Sequence, residues 1–248
     1  MISKKNIYWK KPTWQKYLIG EKLKNLNIKN ICYLDTDILI NPFSPNIFKN
    51  YNPKKIFASS NVFNLPYELE KVQKKVVWFR KKFIKKNYPL DSAIFANLKK
   101  TYSYSKLQTH KDYLCAGLFI FNIKNHGKFF KNFFFKYKNN YKSLTGGDQV
   151  HFSYNVLKYQ KYQILDYKFQ AYWIYEMAVN YPFLYFSKNK LLTRYCIEAS
   201  LMNNYFLHFP GKWLEGRMWK NDVYKNINLD LYKKLENYYK MKVSGKPI

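Results

Sequence analysis

The chain has 248 residues, 47% of them apolar, and carries 44 Lys and Arg against 15 Asp and Glu, a formal charge of +29. Length and apolar content exclude a disordered chain and suit one α/β domain with a substantial core. The lysines are spread along the whole length rather than gathered into an arm, so the charge reads as a general attraction to anions and argues against a dedicated nucleic-acid tail. Three distant cysteines (Cys32, Cys115, Cys196), with no CxxC pair, point to reduced thiols in a cytoplasmic chain rather than to a disulfide scaffold or zinc site. No apolar run follows Met1 to make a signal peptide, and the longest apolar stretch, Leu114 to Phe121, is too short to span a bilayer. The expectation is a soluble chain, at most peripheral to a membrane.

In chain order, Pro12 and Thr13 open a helix to about Leu26, with Tyr17, Leu18 and Leu23 inward. Asn30 to Asp35 reads as a short buried strand that breaks at Asp35-Thr36-Asp37, and Pro42 and Pro45 mark a loop beyond it. Lys55 to Ser59 is a second strand. Leu69, Val72, Val76, Phe79 and Phe83 recur at alternating steps of three and four, so Pro66 to about Lys85 is an amphipathic helix. Gly117 to Asn122 is the most strand-like run, apolar on both faces and therefore central. Phe129, Phe133, Tyr137 and Tyr141, four apart, define another helix, and Gly146-Gly147-Asp148-Gln149 begins one that ends near Leu157. Tyr205 to Phe209 is a late strand stopped by Pro210-Gly211, and a helix over about Leu229 to Tyr239 closes the chain. With no repeat and no linker-like segment, the expectation is a single α/β domain over 1–248, with an N-terminal helix region (1–30) and a C-terminal helical tail (214–248).

In open α/β sheets, ligands bind beyond the carboxyl ends of strands, and Asp35, Asp37, Asn122 and His208 all fall at expected strand ends or the turns after them. Asp35-Thr36-Asp37 is an Asp-x-Asp whose side chains, two apart, reach one face in extended backbone, where both carboxylates suit a hard divalent ion. Eight aspartates in this chain predict about 0.3 such triplets by chance, so the motif gains its weight from capping an apolar strand in an acid-poor protein. The alternative is a solvated turn or helix cap. His208, followed by Phe209-Pro210-Gly211-Lys212, offers a third ligand. Gly211 lets backbone amides approach a phosphate, and Lys212 supplies a point charge for it, although a histidine after a strand is commonly structural. Small residues at Ala116-Gly117 mean close packing or room for a sugar ring. Asp148-Gln149 either complements a helix dipole or aims a carboxylate and an amide at a sugar.

The order Tyr33-Leu34-Asp35-Thr36-Asp37, Ala116-Gly117 through Asn122, Asp148-Gln149 through Asn155, then His208-Phe209-Pro210-Gly211 resembles glycosyltransferase family 8, the glycogenin and lipopolysaccharide galactosyltransferase type. The likeness covers roughly Trp14 to Trp213. It implies the GT-A fold, with a mixed central sheet flanked by helices, and metal-dependent transfer of a sugar from a nucleotide sugar, commonly a UDP-sugar, with retention. The acceptor would be a glycan, lipid or protein, and the ion Mn²⁺ (or Mg²⁺). By the same resemblance Asp35, Asp37 and His208 hold the metal, with Asp35 also near the ribose, and Gly211 and Lys212 meet the diphosphate. Asp148 and Gln149 lie near the transferred sugar, and Ala116, Gly117 and Asn122 belong to the donor-binding set. Three departures stand out: Cys115 where the family has Asn, Lys212 directly after Gly211, and only 34 residues before Asp35. The last implies that part of the N-terminal Rossmann-like half is missing, or that a partner or an unusual loop supplies it.

Two other classes fit the composition. One is a basic module for nucleic acid or anionic surfaces, with Lys128-Phe129-Phe130-Lys131 stacking bases or the helix Asn125 to Tyr141 lying on an anionic membrane. The other is an inactive fragment of the enzyme fold.

Overall fold

A computed structural model of the chain describes residues 10–83, 97–138, 141–144, 147–187 and 189–210. Along it run α1 (Pro12–Gln15), a 3₁₀ turn (Lys16–Leu18), α2 (Ile19–Leu23), β1 (Asn30–Leu34), β2 (Ile38–Ile40), β3 (Ile56–Ser60), α3 (Leu69–Phe83) and α4 (Leu98–Tyr104). There follow β4 (Leu114–Asn122), α5 (Ile123–Lys136), α6 (Gln149–Tyr159), β5 (Tyr162–Ile164), a 3₁₀ turn (Tyr167–Gln170) and β6 (Ala171–Tyr172). Last come α7 (Trp173–Asn180), a 3₁₀ turn (Pro182–Tyr185), α8 (Lys190–Asn203) and β7 (Phe206–His208). The chain falls into two compact units, Met1–Asp35 with Asn50–Leu65 and Pro89–Asp166, and Thr36–Lys49 with Pro66–Tyr88 and Tyr167–Ile248. Each is woven from three separate segments, which is why no linker composition marks a boundary. The expected C-terminal helix and tail (214–248), Gly146, Gly211 and Lys212 lie outside the described residues.

The first unit holds a mixed sheet in the order β1-β4-β3-β5, with β4 antiparallel to β1 and β3, and β5 parallel to β3. β4 is buried along its length except at Asn122, as its continuous apolar run requires of a central strand. It begins at Leu114, three residues before the expected start, so Cys115 and Ala116 lie inside the strand rather than at its entrance. Trp14, Tyr17, Phe119, Phe121, Phe130, Phe133, Phe134 and Phe152 pack into one core cluster. Tyr17 lies 5.9 Å from Phe119, 5.8 Å from Phe130 and 5.9 Å from Phe152, centroid to centroid.

Two expected helices are shorter in the structure. The N-terminal helix is three short pieces ending at Leu23, so Leu26 lies beyond it and is exposed. α5 stops at Lys136 because Tyr137 turns to extended backbone (φ −106°, ψ 135°). The Tyr137 and Tyr141 rings instead pack 5.7 and 4.7 Å from Trp14, so tertiary packing explains a spacing that helical periodicity also matched. Phe130 is fully buried and Phe129 stacks on Tyr159 at 4.3 Å, so the aromatics of the Lys128–Lys131 run serve the core. They are not a platform for bases or lipid.

The second unit contains a sheet in the order β2-β7-β6, with β7 antiparallel to β2 and parallel to β6. α3 buries Val72 and Val76, and Phe79 stacks on Tyr185 at 4.7 Å, in line with its three-and-four spacing. The buried Glu176 of α7 accepts from Tyr167 Oη (3.1 Å), Asn180 Nδ2 (3.0 Å) and Ser200 Oγ (3.4 Å), and burial raises its pKa. Among the described residues, no helix is long and apolar enough to cross a membrane.

Two stability outcomes follow from this packing. Phe130→Ala removes a fully buried ring that touches five others and should lower unfolding free energy by about 3–5 kcal/mol, read as a shift of the urea midpoint. His151 is buried among Trp14, Tyr137 and Tyr141, and burial, reinforced by Lys136, lowers its pKa to about 4 from the usual 6.5. The unfolded chain therefore binds the proton first, and the stability from neutral His151 is present above pH 6.5 and lost as pH falls towards 4. The loss is roughly 3 kcal/mol. Denaturant titrations at pH 7 and pH 4.5 should show His151→Phe losing less stability on acidification than the unaltered chain.

Candidate functional site

The end of the β1–β4 pair carries the first group of polar side chains. Asp35, just past β1, stays tied to β4 through its backbone N–H, which donates to the Gly117 carbonyl at 2.8 Å. Its Oδ1 accepts from Tyr33 Oη at 2.7 Å. Lys16, 5% exposed, reaches the same place from the N-terminal 3₁₀ turn. Its Nζ donates to the Ala116 carbonyl at 2.7 Å and lies 3.1 Å from Asp148 Oδ2 and 3.9 Å from Asp35 Oδ1, over the Tyr33 ring at 4.8 Å. Tyr17 Oη donates to the same Asp148 oxygen. Burial, followed by the Asp148 charge, pushes the Tyr17 phenol well above its usual pKa, so it remains a donor.

Asp148 occupies the N-cap position of α6 but makes no side-chain cap there; its carboxylate turns instead to Lys16 and Tyr17. At the N-cap the Asp148 carboxylate still lies by the positive end of the helix dipole, so the two readings of this residue stand together. Gln149 opens α6, half-buried. Cys115 Sγ accepts from Gly117 N at 3.3 Å, inside β4.

Asn122 is not brought to this group. The register pairs Asn30 with Asn122 and Leu34 with Leu118, so Asn122 stands at the opposite end of β1, on the order of 15 Å away. Its side chain caps α5 by accepting from Asn125 N (3.1 Å) and donates to Asn30 Oδ1 (2.8 Å). An antiparallel neighbour delivers its C-terminal residue to the N-terminal end of its partner, which a sequence read strand by strand does not reveal.

β7 carries the second group. His208 ends it, almost fully buried, held between Ile38 of β2 and Tyr172 of β6 in the sheet register, and Phe209 N donates to the Asp37 carbonyl at 3.0 Å. The imidazole Nε2 lies 3.2 Å from Asp37 Oδ1, and Nδ1 lies 2.9 Å from Gln170 Nε2. Asp37 follows Asp35 by two residues, and one ligand atom from each of Asp35, Asp37 and His208 lies within 4.8 Å of the other two.

Do these residues suit a metal? Asp37 Oδ1 is buried and has no hydrogen-bond partner, despite its closeness to His208. A desolvated carboxylate oxygen without a donor costs energy that a cation would recover. Two carboxylates and one imidazole make a borderline oxygen and nitrogen donor set, which fits Mn²⁺ and, less closely, Mg²⁺. The fit is good.

Lys16, Tyr17 and Gln170 are the residues of this region that sequence reasoning did not assign to a site. Among so many lysines nothing distinguishes Lys16, except its place in a helical stretch next to the inward Tyr17 and Leu18.

No protein-family model and no curated protein sequence matches the chain. Two solved structures resemble it. The WbbM bifunctional glycosyltransferase in its apo form is 14% identical, with a TM-score of 0.43 over 89% of this chain and 37% of that one. Mouse xyloside xylosyltransferase 1, also apo, is 14% identical, with a TM-score of 0.35 over 79% of this chain and 62% of that one. The chain thus spans less than two thirds of the length of either.

Proposed function

We propose that this protein is a metal-dependent glycosyltransferase of the GT-A type, moving a sugar from a nucleotide sugar, a UDP-sugar by resemblance, to a carbohydrate, lipid or protein acceptor with retention. The observation that carries the reading is the approach of Asp35, Asp37 and His208 to within ligand distance of one another, with a buried Asp37 oxygen left without a donor. These three residues would hold Mn²⁺ (or Mg²⁺). When bound, the ion supplies charge compensation for the nucleoside diphosphate that departs.

The chain's own groups divide the remaining work. Lys16 and Tyr17 hold the Asp148 carboxylate in one orientation, and Lys16 draws the Ala116 carbonyl and Asp35 towards it. Asp148 and Gln149 are the residues proposed to face the transferred sugar, with Ala116 and Gly117 lining the donor. Gly211 and Lys212 are proposed to meet the diphosphate. A cytoplasmic location accords with free cysteines at 32, 115 and 196.

Contact with an anionic surface, expected from the charge, is better supported on α3 than on α5. Lys71, Lys75, Trp78 and Lys82 recur at helical spacing as one exposed stripe, with Lys82 Nζ 4.7 Å from the Trp78 ring centre. Interfacial tryptophan and lysine suit lipid headgroups. Lys75→Glu with Lys82→Glu should weaken sedimentation with phosphatidylglycerol vesicles several-fold; equal sedimentation would refute the placement.

Donor binding is tested by thermal melting. UDP with Mn²⁺ should raise the melting temperature by roughly 5–10 °C at a hundredfold excess over Kd, and UDP alone should not. Asp37→Ala should abolish the shift. A well-folded sample that shows no shift with UDP and Mn²⁺ together refutes the reading.

A further inference from the structure

Gln170 is polar, 1% exposed, and aimed at the one imidazole of the proposed metal site. It ends the 3₁₀ turn that leads directly into β6, and β6 pairs with β7 so that Tyr172 stands opposite His208. The amide is therefore held against the Nδ1 edge of the ring by backbone pairing, while the Nε2 edge faces Asp37. A buried amide on the far side of a ligand imidazole has chemistry to do.

An imidazole has one proton for two nitrogens when neutral. With the amide nitrogen towards Nδ1, as in this structure, Nδ1 accepts and the ring proton sits on Nε2, on the edge that lies 3.2 Å from Asp37 Oδ1 without a hydrogen bond to it. A cation bound through Nε2 needs that lone pair, so the proton must reside on Nδ1. A half-turn of the Gln170 amide then presents its oxygen to Nδ1–H at the same position. The amide can thus meet Nδ1 in either tautomer, as donor in one and acceptor in the other. Neither leucine nor glutamate has this property: leucine satisfies neither tautomer, and an ionised glutamate only accepts, which favours the metal-ready one.

We infer that Gln170 is a positioning residue for metal binding, an amide whose half-turn exchanges the metal-free tautomer of His208 for the one that offers Nε2 to a divalent cation. The inference rests on the proposed metal site, and it concerns affinity for the ion rather than turnover.

Mn²⁺ binding to the full chain, followed by the electron-paramagnetic signal of free Mn²⁺ and by calorimetry, separates the two ideas. The unaltered chain should bind Mn²⁺. Gln170→Leu should bind 10- to 100-fold more weakly, and Gln170→Glu as tightly as the unaltered chain or tighter. If the unaltered chain does not bind Mn²⁺, the metal site and the role of Gln170 fall together. If it binds and a folded Gln170→Leu matches it, the role of Gln170 alone is overturned. Should Gln170→Leu fail to fold, Gln170→Glu decides: a folded variant that loses affinity refutes the tautomer argument, because a carboxylate accepts from Nδ1–H at least as well as an amide oxygen does.

Discussion

A carboxylate withdrawn from water must be met by a cation or by donors, and this requirement organises the polar groups of the protein. Asp148 is met by Lys16 and Tyr17. Asp35 is met by Tyr33 and, at longer range, by the same lysine. Asp37 Oδ1 has no hydrogen-bond partner. Removing one member of a buried ion pair costs about 3–5 kcal/mol because the other charge is stranded, so Lys16 is as much a condition of this arrangement as the aspartates are. The nearest charged or titratable neighbour of Asp37 Oδ1 is the His208 imidazole, 3.2 Å away.

The aromatic core flanks Lys16. Trp14 and Tyr17 bracket Lys16 in sequence and are locked by Phe119, Phe130, Phe133 and Phe152. Two-torsion aromatic side chains bury large areas at small entropic cost, so a few residues of irregular helix can be fixed without a long helical scaffold. Gly20 contributes by its lack of a side chain, since a Cβ there would lie 3.2 Å from the Phe121 ring, closer than ordinary contact, and the ring would have to give by a few tenths of an ångström. The ammonium is thereby delivered to the end of the sheet where β1 stops.

How much of this could be read beforehand differs by element. β1, β3, β4, α3, α6 and β7 announce themselves by apolar runs or by three-and-four spacing, and each lies within a few residues of its expected bounds. β2, β5 and β6 are two or three residues long, too short for any periodicity to register. α7 is buried over most of its surface, so it lacks the polar contrast that marks an amphipathic helix. The Tyr137 and Tyr141 spacing misled for the converse reason: residues four apart can meet one partner, Trp14, without both lying on one helix.

For the site, local sequence drew attention to Asp35 and Asp37, because a pair of acids at a strand end is conspicuous in an acid-poor chain, while His208 joined them by the order of motifs. For Asp148 and Ala116-Gly117 local sequence left two readings open, and the structure shows Lys16 reaching both Asp148 and the Ala116 carbonyl. Antiparallel pairing removed Asn122 from that company, and burial admitted Lys16, Tyr17 and Gln170. Residue type and spacing determine what chemistry a side chain can offer and which local element it favours. Which side chains lose their water, and which then stand opposite one another, depends on strand order, register and packing between segments far apart in the chain, and only the folded structure decides those.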